Sequence, residues 1–261
     1  MHPSAAALSA AAVRLFCDVA NAAIARKGGA GIALSGGSLP PMLTGLASAQ
    51  LDWAKVHIFL VDERCVAASD PECNLSALKT AFLGAVSIPA ANVHGLSGSS
   101  DANAEADAYQ AALLALPASL LPRSGAGIPS FDLVMLGVGP DGHTASLFPN
   151  RAVVAVADRA VVAVTDSPKP PAARVSLSLA TLNSAAIAAF FTGGAAKAEV
   201  VQRVLECQAL PGALPAQMVR PAPPGELRWC LDAASAAQLR TADWASPNKW
   251  PRSEVPAAPK A

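Results

Sequence analysis

The chain has 261 residues, and its 19 Lys+Arg balance 19 Asp+Glu, so the formal net charge is zero. That balance argues against a broad electrostatic grip on nucleic acid or an anionic membrane, and leaves any anionic ligand to cations gathered locally. With 52% hydrophobic and only 15% charged residues, there is enough apolar material for one large α/β domain or two small ones.

Five cysteines, Cys17, Cys65, Cys73, Cys207 and Cys230, are scattered, odd in number and without a C-x-x-C pair. They predict free thiols in a reducing compartment, not a disulfide framework or a zinc site. No apolar run approaches the length of a membrane span, and the N-terminus lacks a basic segment followed by an apolar signal core. The expected location is the cytoplasm, or a plastid if a targeting segment has been removed.

Residues 4–27 read as an opening helix, with Leu8, Leu15 and Val19 spaced along it and Gly28-Gly29 as its break. Gly31 to Leu34 is a brief strand running straight into Ser35-Gly36-Gly37-Ser38. Pro40-Pro41 follow, where prolines suit the first turn of a helix. A strand, a Gly/Ser loop and a helix start make the layout of an anion cradle, in which backbone N–H groups and the helix dipole converge. The loop is neither a Walker A sequence nor a GxGxxG fingerprint.

Val56 to Val61 is a second strand, ending in Asp62-Glu63-Arg64. This triplet is either a solvated loop with a local salt bridge or an oxyanion clamp, with Arg64 held by Asp62 or Glu63. His57 is expected to pack within its strand and His94 to be structural. Asn74 is expected to cap a helix running to Phe82. Residues 101–116 read as a further helix, and the Pro-, Gly- and Ser-rich residues 117–130 as a connector.

Phe131 to Leu136 is an apolar run of the kind buried on both faces of a parallel sheet. Gly137 and Gly139 follow, then Asp141, Gly142, His143 and Thr144. Polar groups at the carboxyl end of a central strand stand where open α/β sheets bind ligands. His143 beside Asp141 is a candidate general base with its orienting partner; the alternative is a surface turn with an incidental histidine.

Val161 to Val164 is another strand. Prolines then bracket Lys169 in Asp166-Ser167-Pro168-Lys169-Pro170-Pro171 and stiffen its backbone. Arg174 opens the extended run RVSLSL. Ala186 to Phe191 is the last strong core strand, followed by Thr192-Gly193-Gly194 and a helix with Lys197 in its first turn. Lysine there opposes the helix dipole, so it is either solvated or aimed at an anion held by that terminus. A strand at Leu227 to Leu231 and a helix capped by Asp232 close the domain. Residues 1–240 are expected to form a single domain and residues 241–261 a flexible tail. Strands alternating with helices predict a mostly parallel sheet with helices on both faces.

In this order, SGGSLP, VDERCV with Asn74 downstream, LGVGPDGHTASLFPN, DSPKPPAARVSLSLATLN and FFTGGAAKAEVV closely resemble the glucosamine-6-phosphate isomerase/6-phosphogluconolactonase family, on its lactonase side. The likeness spans nearly the whole chain, and DGHTASLFP is its most specific segment. It implies a Rossmann-like α/β/α fold, no metal and no organic cofactor. It also implies hydrolysis of 6-phospho-D-glucono-1,5-lactone to 6-phospho-D-gluconate, the second step of the oxidative pentose phosphate pathway. The expected partner is this small sugar-phosphate lactone, with no nucleic acid or membrane, in a monomer or small homo-oligomer.

Catalysis is expected of His143 and Asp141. Substrate and phosphate binding are expected of Ser35, Gly36, Gly37, Ser38, Asp62, Arg64, Lys169, Arg174 and Lys197, with Arg64 and Lys197 first for the phosphate and Arg174 next. The chain departs from the family pattern at Leu39, where threonine is common, at Ala67 and Ala180, where proline is frequent, and at Asn150, where glycine is frequent. These positions bear on loop rigidity. Two other functions compete. An aminosugar-phosphate deaminase or isomerase would carry a carboxylate shortly after DGH, where Thr144 to Pro149 contain neither Asp nor Glu. A non-catalytic phosphosugar-binding protein would have no reason to keep both Asp141 and His143.

Overall fold

The apolar runs of the parallel sheet become strands whose alternating side chains enter two different cores. The computed structural model describes residues 1–207 and 214–240. Its strands are β1 (Ala30–Leu34), β2 (Val56–Leu60), β3 (Asp62–Arg64), β4 (Val93–His94), β5 (Leu133–Leu136), β6 (Val161–Val164), β7 (Arg174–Leu177), β8 (Ile187–Thr192) and β9 (Glu226–Leu231). Its α-helices are α1 (Ala5–Lys27), α2 (Leu39–Met42), α3 (Asn74–Ala81), α4 (Ala102–Ala115), α5 (Leu179–Ser184), α6 (Ala198–Glu206) and α7 (Pro215–Met218).

Six strands form one sheet in the order β4-β2-β1-β5-β8-β9, and every pairing in it is parallel. The fold is therefore α/β, as expected. The chain builds outward from β1 in one direction and from β5 in the other. The point between them is a topological switch, where open α/β sheets bind their ligands at the carboxyl edge. Ile32, Leu34, Leu133, Met135, Ala189 and Phe191 face one core, which α1 closes with Leu8 and Phe16. Ala33, Val134, Leu136, Ala188 and Phe190 face the other, closed by Ala106 and Leu113 of α4, Val161 and Val175 of the small strands, and Val200 and Val204 of α6. Each large apolar side chain so buried is worth about 1.5–3 kcal/mol, enough to fix the register of the strands that carry it.

Helix α1 starts where expected: Ser4 is its N-cap and accepts from Ala7 N at 3.2 Å, and Gly28 ends it at φ +86°. One expectation is corrected here. By length and composition, α1 is long and apolar enough to cross a membrane. In the fold, its face bearing Leu8, Ala12, Phe16 and Ala20 packs into the core. At its C-terminus, Arg26 and Lys27 each reach Asp132 at 2.8 Å, and Asp132 also accepts from Gly31 N at 2.8 Å. This knot lies at the amino edge of the sheet.

The sequence did not foretell a second, antiparallel sheet of order β3-β7-β6. Asp62-Glu63-Arg64 is not a loop but its edge strand, and it pairs with Ser176, Val175 and Arg174. The buried Glu63 carboxylate accepts from Arg64 N at 2.7 Å, Asn74 N at 2.8 Å and Leu75 N at 2.9 Å. Glu63 thus caps α3 from another element. Asn74 is the first residue of that helix, not its cap, and its Nδ2 donates to Asp62 O at 2.8 Å.

His94 Nε2 lies 3.1 Å from Nδ1 of His57 across the β2–β4 pair. Burial and the neighbouring His57 push His94 down to about 4. Asp232 caps no helix; residues 233–238 form turns. Its carboxylate instead accepts from Ser235 N at 2.7 Å and from Gly194 N at 2.9 Å. The expectation for residues 241–261 lies outside the described residues.

Glu63→Ala should cost at least about 2 kcal/mol in urea unfolding, because backbone donors that it satisfies lose their acceptor at about 1–3 kcal/mol for each buried group left unpaired. Glu63→Gln, which keeps an oxygen, should lose less. A Glu63→Ala variant within about 0.5 kcal/mol of the parent, the usual effect of a plain surface substitution, would show that the cap contributes nothing.

Candidate active site

The segment after β5 folds back on itself. Gly142 N donates to Gly139 O at 2.9 Å, Gly139 N to His143 O at 2.9 Å, and Thr144 Oγ1 to Gly137 O at 2.9 Å. This turn presents His143 at the carboxyl edge beside the switch point. A glycine is required at 139 by close approach, since a Cβ there would lie 1.9 Å from the His143 ring. On its other side the ring packs on Phe148, with centroids 4.6 Å apart. Ala145 takes φ +51° and Asn150 φ +58°. At 150 the left-handed backbone accounts for the glycine of the family pattern, and asparagine is the residue that tolerates it next best.

His143 Nδ1 is hydrogen-bonded to Asp141 Oδ1. An ionised Asp141 accepts, so Nδ1 carries the hydrogen and Nε2 keeps its lone pair. Among the described residues Nε2 has no hydrogen-bond partner. Burial lowers the His143 pKa; the bond and charge of Asp141 push it back up, Lys169 pushes it down and Asp62 pushes it up, and the net direction is down. Burial alone would raise Asp141, but the hydrogen bond and charge of His143 and the charge of Lys169 hold it below the ordinary carboxylate value. The result is a neutral, oriented imidazole beside an ionised carboxylate.

The four expected cations divide into two groups. Lys197 follows the Gly193-Gly194 bend, at the end of a 3₁₀ turn preceding α6 instead of inside its first helical turn. Its Nζ donates to Val138 O at 2.8 Å, which lays it across the His143 loop. Burial lowers the Lys197 pKa, Lys169 lowers it further and Asp141 opposes both. Lys169 itself is exposed. Thus Asp141, His143, Lys169 and Lys197 form one electrostatic neighbourhood.

Arg64 and Arg174 form the second group, directly opposite one another in the β3–β7 register. Arg64 Nη1 donates to Glu72 O at 2.6 Å and pairs with Glu72 Oε2 at 3.2 Å, while its buried Nε has no partner. Asp62 is buried and accepts from Ser146 Oγ at 2.7 Å. Arg174 is almost fully buried and donates to protein oxygens.

Ser35-Gly36-Gly37-Ser38 links β1 to α2 on the other side of the switch. Ser35 N donates to Met135 O at 3.1 Å, and its buried Oγ has no partner. Gly36 lies against Asn74, where a Cβ would meet Oδ1 at 1.8 Å. Gly37 takes φ +65°. Helix α2 is a single turn of four residues, so the dipole part of the expected cradle falls away and the loop N–H groups remain. Among the described residues no group of three His, Cys, Asp or Glu is arranged to hold a metal ion.

Sequence reasoning passed over Ser146 and Phe148. Both sit in DGHTASLFP, and the only signal was their inclusion in that specific segment.

An open parallel sheet with an Asp–His pair and two lysines at its carboxyl edge fits an α/β enzyme for an anionic substrate, and the comparisons give the class as one of sugar-phosphate enzymes. The profile of the family "Glucosamine-6-phosphate isomerases/6-phosphogluconolactonase" matches residues 3–229, and the chain belongs to that family. The 6-phosphogluconolactonase of Mycobacterium bovis is 37% identical over 249 residues, covering 92% of this chain and 97% of that one. That of Synechocystis sp. is 36% identical over 220 residues, 84% of this chain and 88% of that one. A solved 6-phosphogluconolactonase from Trypanosoma brucei superposes with a TM-score of 0.79 at 31% identity, covering 92% of this chain and 97% of that one.

Gly139→Ala should disable the site while sparing the fold. The added methyl displaces the His143 ring, and a misplacement of about 1 Å costs on the order of 10²-fold in rate. Circular dichroism should be unchanged. Full activity in Gly139→Ala would mean that the ring position does not matter.

Proposed function

We propose that this protein hydrolyses 6-phospho-D-glucono-1,5-lactone to 6-phospho-D-gluconate, the second step of the oxidative pentose phosphate pathway, with His143 as general base. The observation that carries this reading is the Asp141–His143 pair, which leaves Nε2 free and basic at the switch point. A lactone is an activated ester, so water can attack its carbonyl with no covalent enzyme intermediate. His143 Nε2 takes the proton from that water as the C–O bond forms. Asp141 stabilises the resulting imidazolium. The tetrahedral oxyanion is met by backbone N–H groups of the glycine loops and by the Lys169 ammonium. Collapse breaks the bond to the ring oxygen, which takes the proton back from His143, and the open-chain acid is released.

Lys197 is the leading phosphate ligand. It is half-buried, and desolvation strengthens its attraction for an anion. The Ser35–Ser38 loop supplies further donors, and the unpaired Ser35 Oγ is one of them. Arg64 is second, since Glu72 already holds one side of its guanidinium. The deaminase reading loses support at Ser146. It stands in the stretch where a carboxylate would be needed and is committed to Asp62 and Arg174.

The test supplies the lactone in situ from glucose 6-phosphate with its dehydrogenase and follows the product with 6-phosphogluconate dehydrogenase, less the spontaneous rate. His143→Ala should lower kcat by roughly 10²–10⁴, the range for a lost general base. Near-normal kcat would remove His143 from the mechanism. Enzyme-dependent ammonia release from glucosamine 6-phosphate would favour the deaminase instead.

The pH profile follows from the lowered His143 pKa. Burial penalises the imidazolium, so the neutral base persists to lower pH than in a solvated histidine. kcat/KM should therefore hold through neutrality and fall only as pH drops through the lowered value, with a midpoint below about 6.5. A midpoint above it would contradict the assignment. Lys197→Ala should reduce kcat/KM for the phosphorylated lactone by about ten- to hundredfold, the kinetic equivalent of about 1.5–3 kcal/mol for a hydrogen bond to a charged group. The same variant should act far less on unphosphorylated gluconolactone; equal losses on both would exclude Lys197 as the phosphate anchor.

A further inference from the structure

Among the candidate phosphate ligands, Arg174 is placed unlike the others. Its Nε donates to Pro171 O at 3.0 Å, and its Nη2 to Lys169 O at 3.0 Å and to Pro170 O at 3.3 Å. Its Nη1 donates to Ser146 Oγ at 3.4 Å. A guanidinium has five N–H donors in a fixed fork, and these bonds engage every nitrogen. The residue is 4% exposed, and its Cζ lies 5.7 Å from the centroid of Phe148, the ring on which His143 packs.

The loop needs such a fork. Pro168, Pro170 and Pro171 have no N–H to give, so the segment cannot satisfy its own carbonyls through a turn ladder. Ser167 Oγ supplies one local bond, to Lys169 O at 2.8 Å. The carbonyls of Lys169, Pro170 and Pro171 all converge on Arg174. Across the guanidinium stands Ser146, which also donates to Asp62 and whose N–H reaches Ser176 Oγ at 3.3 Å. Ser146 belongs to the His143 loop, so one side chain ties two loops together.

We infer that Arg174 is a positioning residue that fastens the Lys169 loop to the His143 loop and so sets where the Lys169 ammonium stands over the site. It is not a phosphate ligand. The inference rests on the reading of His143 as the base. The charged groups about His143 are Asp141 on its own loop, Asp62 on β3, Lys169 on this loop and Lys197, whose Nζ lies across the His143 loop. Of these, Lys169 lowers the His143 pKa, and it is the one whose place Arg174 controls. A lysine at 174 would keep the charge but lose the fork.

The test is an NMR pH titration of the His143 Cε1–H, one of four histidine signals, assigned by its loss in His143→Ala. It needs no substrate, so it stands even if the protein proves not to hydrolyse the lactone; that failure would be read separately, in the coupled assay. Lys169→Met is exposed and serves as the reference. It should raise the His143 midpoint, because the Lys169 charge is one of the causes that push it down. Arg174→Met and Arg174→Lys should each raise it in the same direction, and Lys169→Met with Arg174→Lys should shift it no further than Lys169→Met alone. Ser146→Ala, which cuts the tie without removing a buried cation, should give a smaller rise. Wild-type titration in Arg174→Lys would overturn the inference. So would additive shifts in the double variant, which would mean that Arg174 reaches His143 by a route that does not pass through Lys169. A loss of preference for phosphorylated over unphosphorylated lactone in Arg174→Lys, with the titration unmoved, would return Arg174 to the phosphate. If Arg174→Met does not fold, Arg174→Lys and Ser146→Ala decide.

Discussion

Val61, between β2 and β3, bonds to both sheets. Its N–H donates to Leu34 O of β1 at 2.9 Å, and its carbonyl accepts from Leu177 N of β7 at 2.7 Å. At this residue the chain leaves the parallel sheet and enters the antiparallel one without a loop between. The whole site hangs on that continuity. It brings Asp62 and Arg64 up beside the loop that follows β5, and brings β7, with Arg174, alongside them. A loop of ordinary flexibility between β2 and β3 would leave the Asp62–Ser146 and Glu63–α3 contacts without a fixed distance to span.

A neutral protein that handles an anion has to concentrate its cations. Here they gather at one edge in two groups that differ in kind. Lys169 and Lys197 are single charges near Asp141 and His143, and their effects on one another pass through partly solvated space. Arg64 and Arg174 are cross-strand neighbours held by oxygens of the protein itself. Like charges that close are costly unless each is engaged, and burial together with Arg64 lowers the Arg174 pKa accordingly. In the proposed reading the lysines meet the ligand and Arg174 holds the frame.

What could be read from the sequence follows a physical divide. The parallel strands were legible because a strand buried on both faces is a continuous apolar run, as in Leu133 to Leu136. The Asp141–His143 pair was legible because both residues lie in one tight turn. The small sheet was legible only in part: β6 and the extended run of β7 were expected, but β3 and the pairing of the three were not. Its strands are three or four residues long, and Asp62, Glu63 and Ser176 are polar yet buried. Their burial is secured by partners 11 to 114 positions away, such as Asn74 for Glu63 and Ser176 for Asp62. Local pattern cannot encode such pairing, so Asp62-Glu63-Arg64 looked like a solvated triplet. For the same reason Asn74 looked like a cap, when the cap comes from Glu63. Arg174 read as a free cation because a fork buried among carbonyls and one exposed to a ligand are the same letter in the sequence.

The knot of Arg26, Lys27, Asp132 and Gly31 N lies at the amino edge, the full length of the strands away from His143. Adhesion and the proposed chemistry therefore occupy opposite rims of one sheet. Substitutions at the carboxyl rim leave the closing of α1 onto β1 and β5 untouched. A single ancestral scaffold divided in this way can trade one sugar-phosphate reaction for another by drift along a single rim, and a family that unites isomerases with lactonases is what such a division of labour would leave behind.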